Sequence, residues 1–209
     1  MTSFRIPAHD GIDEFTEKRS RFIGSGWECE TEAEALELIK KTNEEHREAA
    51  HNVYAYIIRE NNIMRYSDNG EPQGTAGMPV LEVLRREGLT NVLCIVTRYF
   101  GGVLLGAGGL TRAYAKGAKI GVDAAGILHM RQWSELLIEA PYNLQERVKL
   151  KIEELGGMIR STDYGASVLF DTVVPSEDCE SFSAEILDLT AGKVTPTVMG
   201  ETFMGVKIK

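Results

Sequence analysis

Several things are scarce in this chain, and each scarcity excludes a class. No stretch of eighteen apolar residues occurs anywhere in the 209, so no membrane-spanning helix and no membrane partner are expected. Cysteine is sparse: Cys29, Cys94 and Cys179 are far apart, odd in number and contain no CxxC pair, which predicts reduced thiols in a cytoplasmic setting. His46 and His51 stand five apart, the wrong spacing for two ligands on one helix face, and no third ligand lies near them, so no metal is expected. The opening MTSFRIPAHDGIDE lacks an apolar core and a cleavage site, so no secretory leader is expected. Positive charge is in deficit. With 23 basic against 31 acidic side chains the net charge is −8, which argues against a general polyanion binder.

What is present is an ordinary globular composition, 43% hydrophobic and 26% charged, long enough for one large domain or two small ones. The charge is uneven. Residues 1–133 carry 16 basic and 18 acidic side chains and residues 134–209 carry 7 and 13, so the acidity is concentrated in the second part. Within 98–131 five basic residues (Arg98, Arg112, Lys116, Lys119, Arg131) face a single acid, Asp123, which makes a local basic patch.

That patch belongs to the stretch around which the chain is organised, 91–126. Val92–Val96 reads as a buried strand, followed by a turn dense in glycine: Gly101, Gly102, Gly106, Gly108 and Gly109. A helix follows, ending near Gly126. Arg112, Lys116, Lys119 and Asp123 share one of its faces, and Ala113, Tyr114, Gly117, Ala118, Gly121, Val122 and Ala125 fill the opposite one. Two readings of the glycines stay open. They let backbone approach an anion at a helix N-terminus, with Arg98 and Arg112 adding charge, or they serve a tight turn and close helix packing. The spacing matches neither the dinucleotide fingerprint nor the P-loop.

Elsewhere, residues 3–28 read as one or two strands, with Lys18, Arg19 and Arg21 either facing out from an edge or forming a ligand surface. Thr31 and Glu34 make a capping box for a helix to about Ala50, with Leu36, Ile39 and Ala50 inward. A hairpin is predicted from Asn52–Arg59 and Ile63–Ser67, and a short helix from Pro79 to Glu87. Between them lies the turn block with Asp68, Gly70, Glu71, Gly74 and Thr75, placed to face the 98–112 site. Asp68 and Glu71 have the chemistry of an acid/base pair, but no nucleophile or His is placed by sequence to work with them, so their expected role is shaping the loop. After Arg131–Trp133 the pattern restarts as strand Glu135–Ala140, helix Leu144–Leu155 capped by Asn143, strands Met158–Tyr164 and Ser167–Val174, a helix with Cys179, Phe182, Ile186 and Leu189 inward, and strand material Lys193–Met199 and Phe203–Ile208. That order, β-α-β-β-α-β, is ferredoxin-like.

RYFGGVLLGAGGLTRAYAKG, preceded by SDNGEPQGTAGMPVL at 67–81 and EKRSRFIG at 17–24, resembles the YigZ/IMPACT family in block order and spacing. The resemblance implies an α+β protein of two domains. Residues 1–132 would form a βα sandwich, with helices over one sheet, similar to domain 2 of a small-subunit ribosomal protein. Residues 133–209 would form a ferredoxin-like domain similar to the last domain of elongation factor G.

The function expected is a non-enzymatic binding or regulatory protein, associated with translation and contacting RNA or the ribosome. Its surface would comprise Arg19, Arg21, Arg98, Gly101, Gly102, Gly108, Gly109, Arg112, Lys116 and Lys119, with Tyr99 and Phe100 as stacking groups, at least one of them buried. The alternative is an enzyme that binds a phosphorylated small molecule or nucleotide, an anionic ligand held by the glycine loop. A third is a structural partner protein whose glycine helix packs on another chain. No catalytic residue, metal or cofactor is assigned.

Overall fold

The structure, a computed structural model, describes residues 3–207, with side chains to 205. Met1, Thr2, Lys209 and the expected strand end at Ile208 lie outside the described residues. The chain divides into two compact units, chiefly Phe4–His129 and Met130–Gly205.

In the N-terminal unit the elements run β1 (Ser3–Pro7), β2 (Gly11–Glu17), β3 (Ser20–Glu28), α1 (Glu32–Glu45), β4 (His51–Ile58), β5 (Ile63–Ser67), α2 (Gly77–Arg86), β6 (Val92–Tyr99) and α3 (Ala107–Ala125). A five-stranded antiparallel sheet forms in the order β2-β3-β6-β4-β5. The Lys18–Arg21 segment therefore does not lie on an edge strand: β3 is interior, and β2 is the edge beside it.

Strand alternation gives this sheet two apolar faces. Val92, Cys94 and Val96 of β6, with Val53, Ala55 and Ile57 of β4, meet α2 and α3 through Val80, Leu84, Tyr114, Ala118 and Val122. Leu93 and Ile95, with Tyr56 and Ile58, turn the other way onto Ala35 and Ile39 of α1. The helices are thus split between both faces of the sheet. Thr31 caps α1 as its sequence requires, its Oγ1 accepting from the Glu34 N–H at 3.2 Å. The helix ends at Glu45 and buries Ala35, Ile39 and Thr42, while Leu36 and Ala50 stay exposed. Helix α2 begins two residues before Pro79 because Asp68 supplies a cap from outside: its Oδ1 accepts from the N–H groups of Ala76 (3.1 Å) and Gly77 (2.8 Å).

The small-residue face of α3 lies against β2 and β3, and all seven of its expected inward residues are buried. A Cβ placed on Gly24 of β3 would come within 1.8 Å of the Gly117 carbonyl, and one on Gly121 within 2.7 Å of the Gly24 carbonyl carbon. For these glycines the packing reading holds: helix and sheet backbones touch, with no space for a side chain.

The C-terminal unit contains β7 (Ile127–Ala140), α4 (Gln145–Glu154), β8 (Met158–Tyr164), β9 (Val168–Pro175), α5 (Cys179–Leu189) and β10 (Thr197–Lys207). Its sheet order is β8-β9-β7, with β10 also pairing with β7. This is the ferredoxin-like arrangement, an α+β fold in both units. Leu136, Ile138, Phe170 and Val174 pack on Val148, Ile152, Phe182 and Ile186 of α4 and α5. Leu144, not Asn143, occupies the α4 N-cap position, and no side chain caps that helix. The expected split in the last strand is absent; β10 is continuous. No helix among the described residues is long and apolar enough to cross a membrane.

Candidate functional site

β6 continues its inward-facing row, Val92, Cys94, Val96, with a charged residue. Arg98 is 4% exposed and stands in register between Phe22 of β3 and His51 of β4. A buried guanidinium is tolerated only where charge and hydrogen bonds compensate its lost hydration. Glu71, 8% exposed, supplies the charge: Arg98 NH1 donates to its Oε1 at 2.5 Å. The Tyr114 hydroxyl of α3 donates to the same oxygen at 2.7 Å. Ser20 Oγ accepts from Arg98 NH2 at 3.4 Å and from the Gly101 N–H at 3.2 Å. Phe22 and Phe100 cover the guanidinium, their ring centres 5.5 and 5.3 Å from it. Burial pushes the Tyr114 phenol well above its ordinary range, and the bond to Glu71 adds to that, so it stays a donor.

The turn block holds this cluster in place. Asp68 ties the block down by accepting from Gly74 as well as from the start of α2, and Thr75 bonds back to the Pro72 carbonyl. Gly70 sits at φ +86° beside the His51 ring, and Gly74 at φ +76°. His51 Nδ1 lies 2.8 Å from the Asn69 carbonyl oxygen, which only accepts, so Nδ1 carries the proton. Its Nε2 then lies 3.7 Å from Glu71 Oε1. This corrects the sequence reading of Glu71: a histidine does stand beside it, delivered by strand register across 20 residues of chain. Asp68 is not part of that pair; it is a structural cap.

Above the cluster opens a pocket of about 450 Å³, lined by His51, Glu71 and Arg98 below and by Pro72, Phe100, Leu104, Leu105 and Leu110 around its walls. Gly106 and Ala107, the start of α3, complete it. Gly106 is at φ +73°, and no side chain caps the helix. Its first amides therefore face outward with the positive end of the helix dipole.

The ten residues expected at the surface divide accordingly. Arg98 is not a surface contact; the carboxylate of Glu71 and two rings have withdrawn it. Arg19 is exposed at the tip of the β2–β3 hairpin, where Lys18 and Arg19 both hold positive φ, 44° and 68°. Type I′ turns of this kind favour Asn-Gly, so two cations here are locally costly. Gly101 is pressed on that tip, since a Cβ there would come within 2.0 Å of the Arg19 carbonyl oxygen. Gly102, at φ +79°, has open space around it. Gly108 and Gly109 lie in the first turn of α3, and Arg112 NH1 folds back to within 3.5 Å of where a Gly108 Cβ would be. Arg21 is paired with Glu14 at 2.5 Å, and Lys119 with Asp123 and with Glu87 at 3.3 Å. Lys116 lies 4.2 Å over the Phe15 ring, which stacks on Phe22 at 5.2 Å. A column Lys116, Phe15, Phe22, Arg98, Phe100 thus joins the basic helix face to the pocket. Neither ring of the Tyr99–Phe100 pair is fully buried: Phe100 is 49% exposed, and Tyr99 is partly covered with its hydroxyl 2.9 Å from His46 Nδ1.

Sequence reasoning missed His51, Ser20 and the role of Tyr114. Tyr114 was legible as core but not as a donor, and His51 carried no local signal at all. Among the described residues no group of three or more His, Cys, Asp or Glu is placed to hold a metal ion.

Comparison with known proteins places this geometry in context. Residues 18–122 match the Impact N-terminal domain, and residues 138–193 match a domain of unknown function, DUF1949. The chain is similar to the IMPACT family member YvyE of Bacillus subtilis, 38% identical over 88% of this chain and 85% of that protein. It is similar to YigZ of Escherichia coli at 29% identity, over 93% of this chain and 97% of the relative. A crystal structure described as that of a hypothetical protein superposes with a TM-score of 0.60 at 29% identity, covering 95% of this chain and 98% of the other. The hairpin tip, the turn block, the glycine loop and nearly all of α3 fall inside the first match, and on these findings the chain belongs to the IMPACT family.

Proposed function

We propose that this protein is a binding protein of the translation apparatus that contacts RNA, on the ribosome or free, through the rim of the pocket. Membership of the IMPACT family supports a regulatory or translation-associated protein at the level of the family. The observation that carries the finer reading is the start of α3. An uncapped helix N-terminus, an Arg112 that is folded over its first turn and unpaired among the described residues, and a half-exposed Phe100 stand side by side. Amides and a guanidinium suit a phosphate, and an exposed ring suits an unstacked base. Arg19 at the hairpin tip and Lys116 extend the cationic rim. Arg98 serves the reading indirectly, by holding Phe100.

A second reading, a free anionic small molecule, is favoured by the pocket's apolar walls around a polar floor. It would appear as a thermal stabilisation by a phosphorylated metabolite at low concentration, with no association with RNA.

The test is co-sedimentation with ribosomes and with free ribosomal RNA at low and moderate salt. The expected result is association that falls steeply with salt and is reduced at least about tenfold in Arg112→Glu/Lys116→Glu, with a shallower salt slope. Both positions are exposed and, among the described residues, hold no ion pair, so the variant is expected to fold. Absence of association at low salt overturns the proposal.

A further inference from the structure

The floor of the pocket has a chemistry that a phosphate contact does not use. Glu71 Oε1 is saturated by Arg98 and Tyr114, whereas Oε2 accepts no hydrogen bond from the described residues. His51 carries its proton on Nδ1, toward the Asn69 carbonyl, so in the neutral ring Nε2 is an acceptor on the pocket side. The floor therefore offers two acceptors within apolar walls, while the rim offers donors and positive charge. A ligand that fits carries an anion at one end, a flat apolar body in the middle and an N–H2 group at the other.

We infer that the pocket takes one unstacked nucleotide whose base bears an exocyclic amine, adenine for instance, in preference to uracil. The inference rests on the RNA-binding reading for the source of that nucleotide, and a free mononucleotide shares the same chemistry. An exocyclic amine has two hydrogens to give, one to Glu71 Oε2 and one to His51 Nε2. Uracil has a single N–H at that edge, flanked by two carbonyl oxygens, so it can satisfy one acceptor but sets an oxygen against the other, which is left unpaired. The base lies against Leu105 and Phe100, and its phosphate reaches the first turn of α3 beside Arg112. A volume of about 450 Å³ is in the range that holds a small ligand. The base is read at its Watson–Crick edge, the usual way single-stranded RNA is recognised.

The experiment compares an oligouridine octamer with the same octamer carrying one central adenine, by fluorescence anisotropy at low salt, using the full chain. AMP and UMP are run as separate probes by calorimetry. The adenine-bearing octamer is expected to bind about tenfold tighter, the size of one good base-edge contact. Glu71→Gln, which puts a donor on the floor, should abolish that preference without abolishing salt-dependent binding. A purely structural role for Glu71 would weaken both octamers equally. Should Glu71→Gln fail to fold, Ala107→Trp, at an exposed wall position, should remove the preference by filling the mouth. Equal affinity of the two octamers overturns the inference and leaves the RNA reading standing. If neither octamer binds but AMP does, against UMP and blocked by Ala107→Trp, the pocket assignment holds and the RNA reading fails. If neither octamer nor AMP binds, both fail.

Discussion

The sheet of the N-terminal unit is apolar on both faces, and the sheet of the C-terminal unit on one. In the first, α1 covers one side and α2 with α3 the other, so any charge that turns inward must be neutralised there; Arg98 is the case in point. In the second, α4 and α5 cover one side, and the other carries Arg160 bonded to Glu135 (2.6 Å) and Asp171 (2.7 Å) in the open. Both units thus hold an arginine among carboxylates on a sheet. One is 4% exposed and the other about two-fifths exposed at the side chain, and that difference in hydration sets what each pair is worth. It also explains why the candidate site lies in the first unit. There the buried Arg98–Glu71 pair meets the Phe100 ring and supplies the pocket floor.

The largest expected effect follows from this contrast. Arg98→Leu leaves the Glu71 carboxylate buried without its counter-charge, and should cost the N-terminal unit about 3–5 kcal/mol. Trp27 lies in this unit and Trp133 in the other, so urea unfolding followed by tryptophan fluorescence in a Trp133→Phe background reports the loss directly. Adding Glu71→Leu should restore part of the stability, because an apolar pair replaces the orphaned charge. If Arg98→Leu alone costs no more than about 1 kcal/mol, the pair behaves as a surface pair and the comparison fails.

How much of this was legible in the sequence differs by element. The two faces of α3 were readable to the residue, since a 3.6-residue period and a run of Ala and Gly state both burial and closeness. Strands β5 and β8 were readable to the residue, being short β-rich runs between turn residues. What could not be read was register. Arg98 meets His51 and Phe22 because β3, β6 and β4 pair in one alignment out of several, and that alignment is set by the whole core rather than by any local motif. The same holds for the start of α2, fixed by a carboxylate nine residues away in sequence. Local chemistry names candidates; long-range pairing decides which of them meet.

A second way to separate the units is alkali. Burial pushes the thiols of Cys29 and Cys94 up to about 12, with nearby acidic groups adding to the effect at Cys29, and it raises the Tyr114 phenol as well. In the unfolded chain the thiols ionise near 9.0. Between that value and 12 the unfolded state has released protons the folded state retains, so stability is intact below pH 9 and falls as pH rises. By pH 10 the loss should be about 1.4 kcal/mol for each thiol. All three groups belong to the N-terminal unit, so the Trp27 transition should move to lower urea between pH 8 and pH 10 while the Trp133 transition holds. Parallel movement of both would show that the buried groups are not what separates the units.

The smallest effect is expected at Arg160. It lies where the β8–β9 register shifts, between Ile159 and Ser161, so the irregular backbone turns its side chain across to Asp171 and on to Glu135. Two carboxylates on one guanidinium is a good geometry, and both hold its pKa above the ordinary value, Asp171 first. Water competes for every one of these groups, however, and salt screens them. Arg160→Ala should therefore move the Trp133 transition only slightly in urea, far less than Arg98→Leu moves the Trp27 transition, and the difference should shrink further in 1 M NaCl. A shift as large as that of Arg98→Leu, surviving high salt, would mean that the exposed network stabilises as strongly as the buried one, and hydration would no longer explain the contrast between the two arginines.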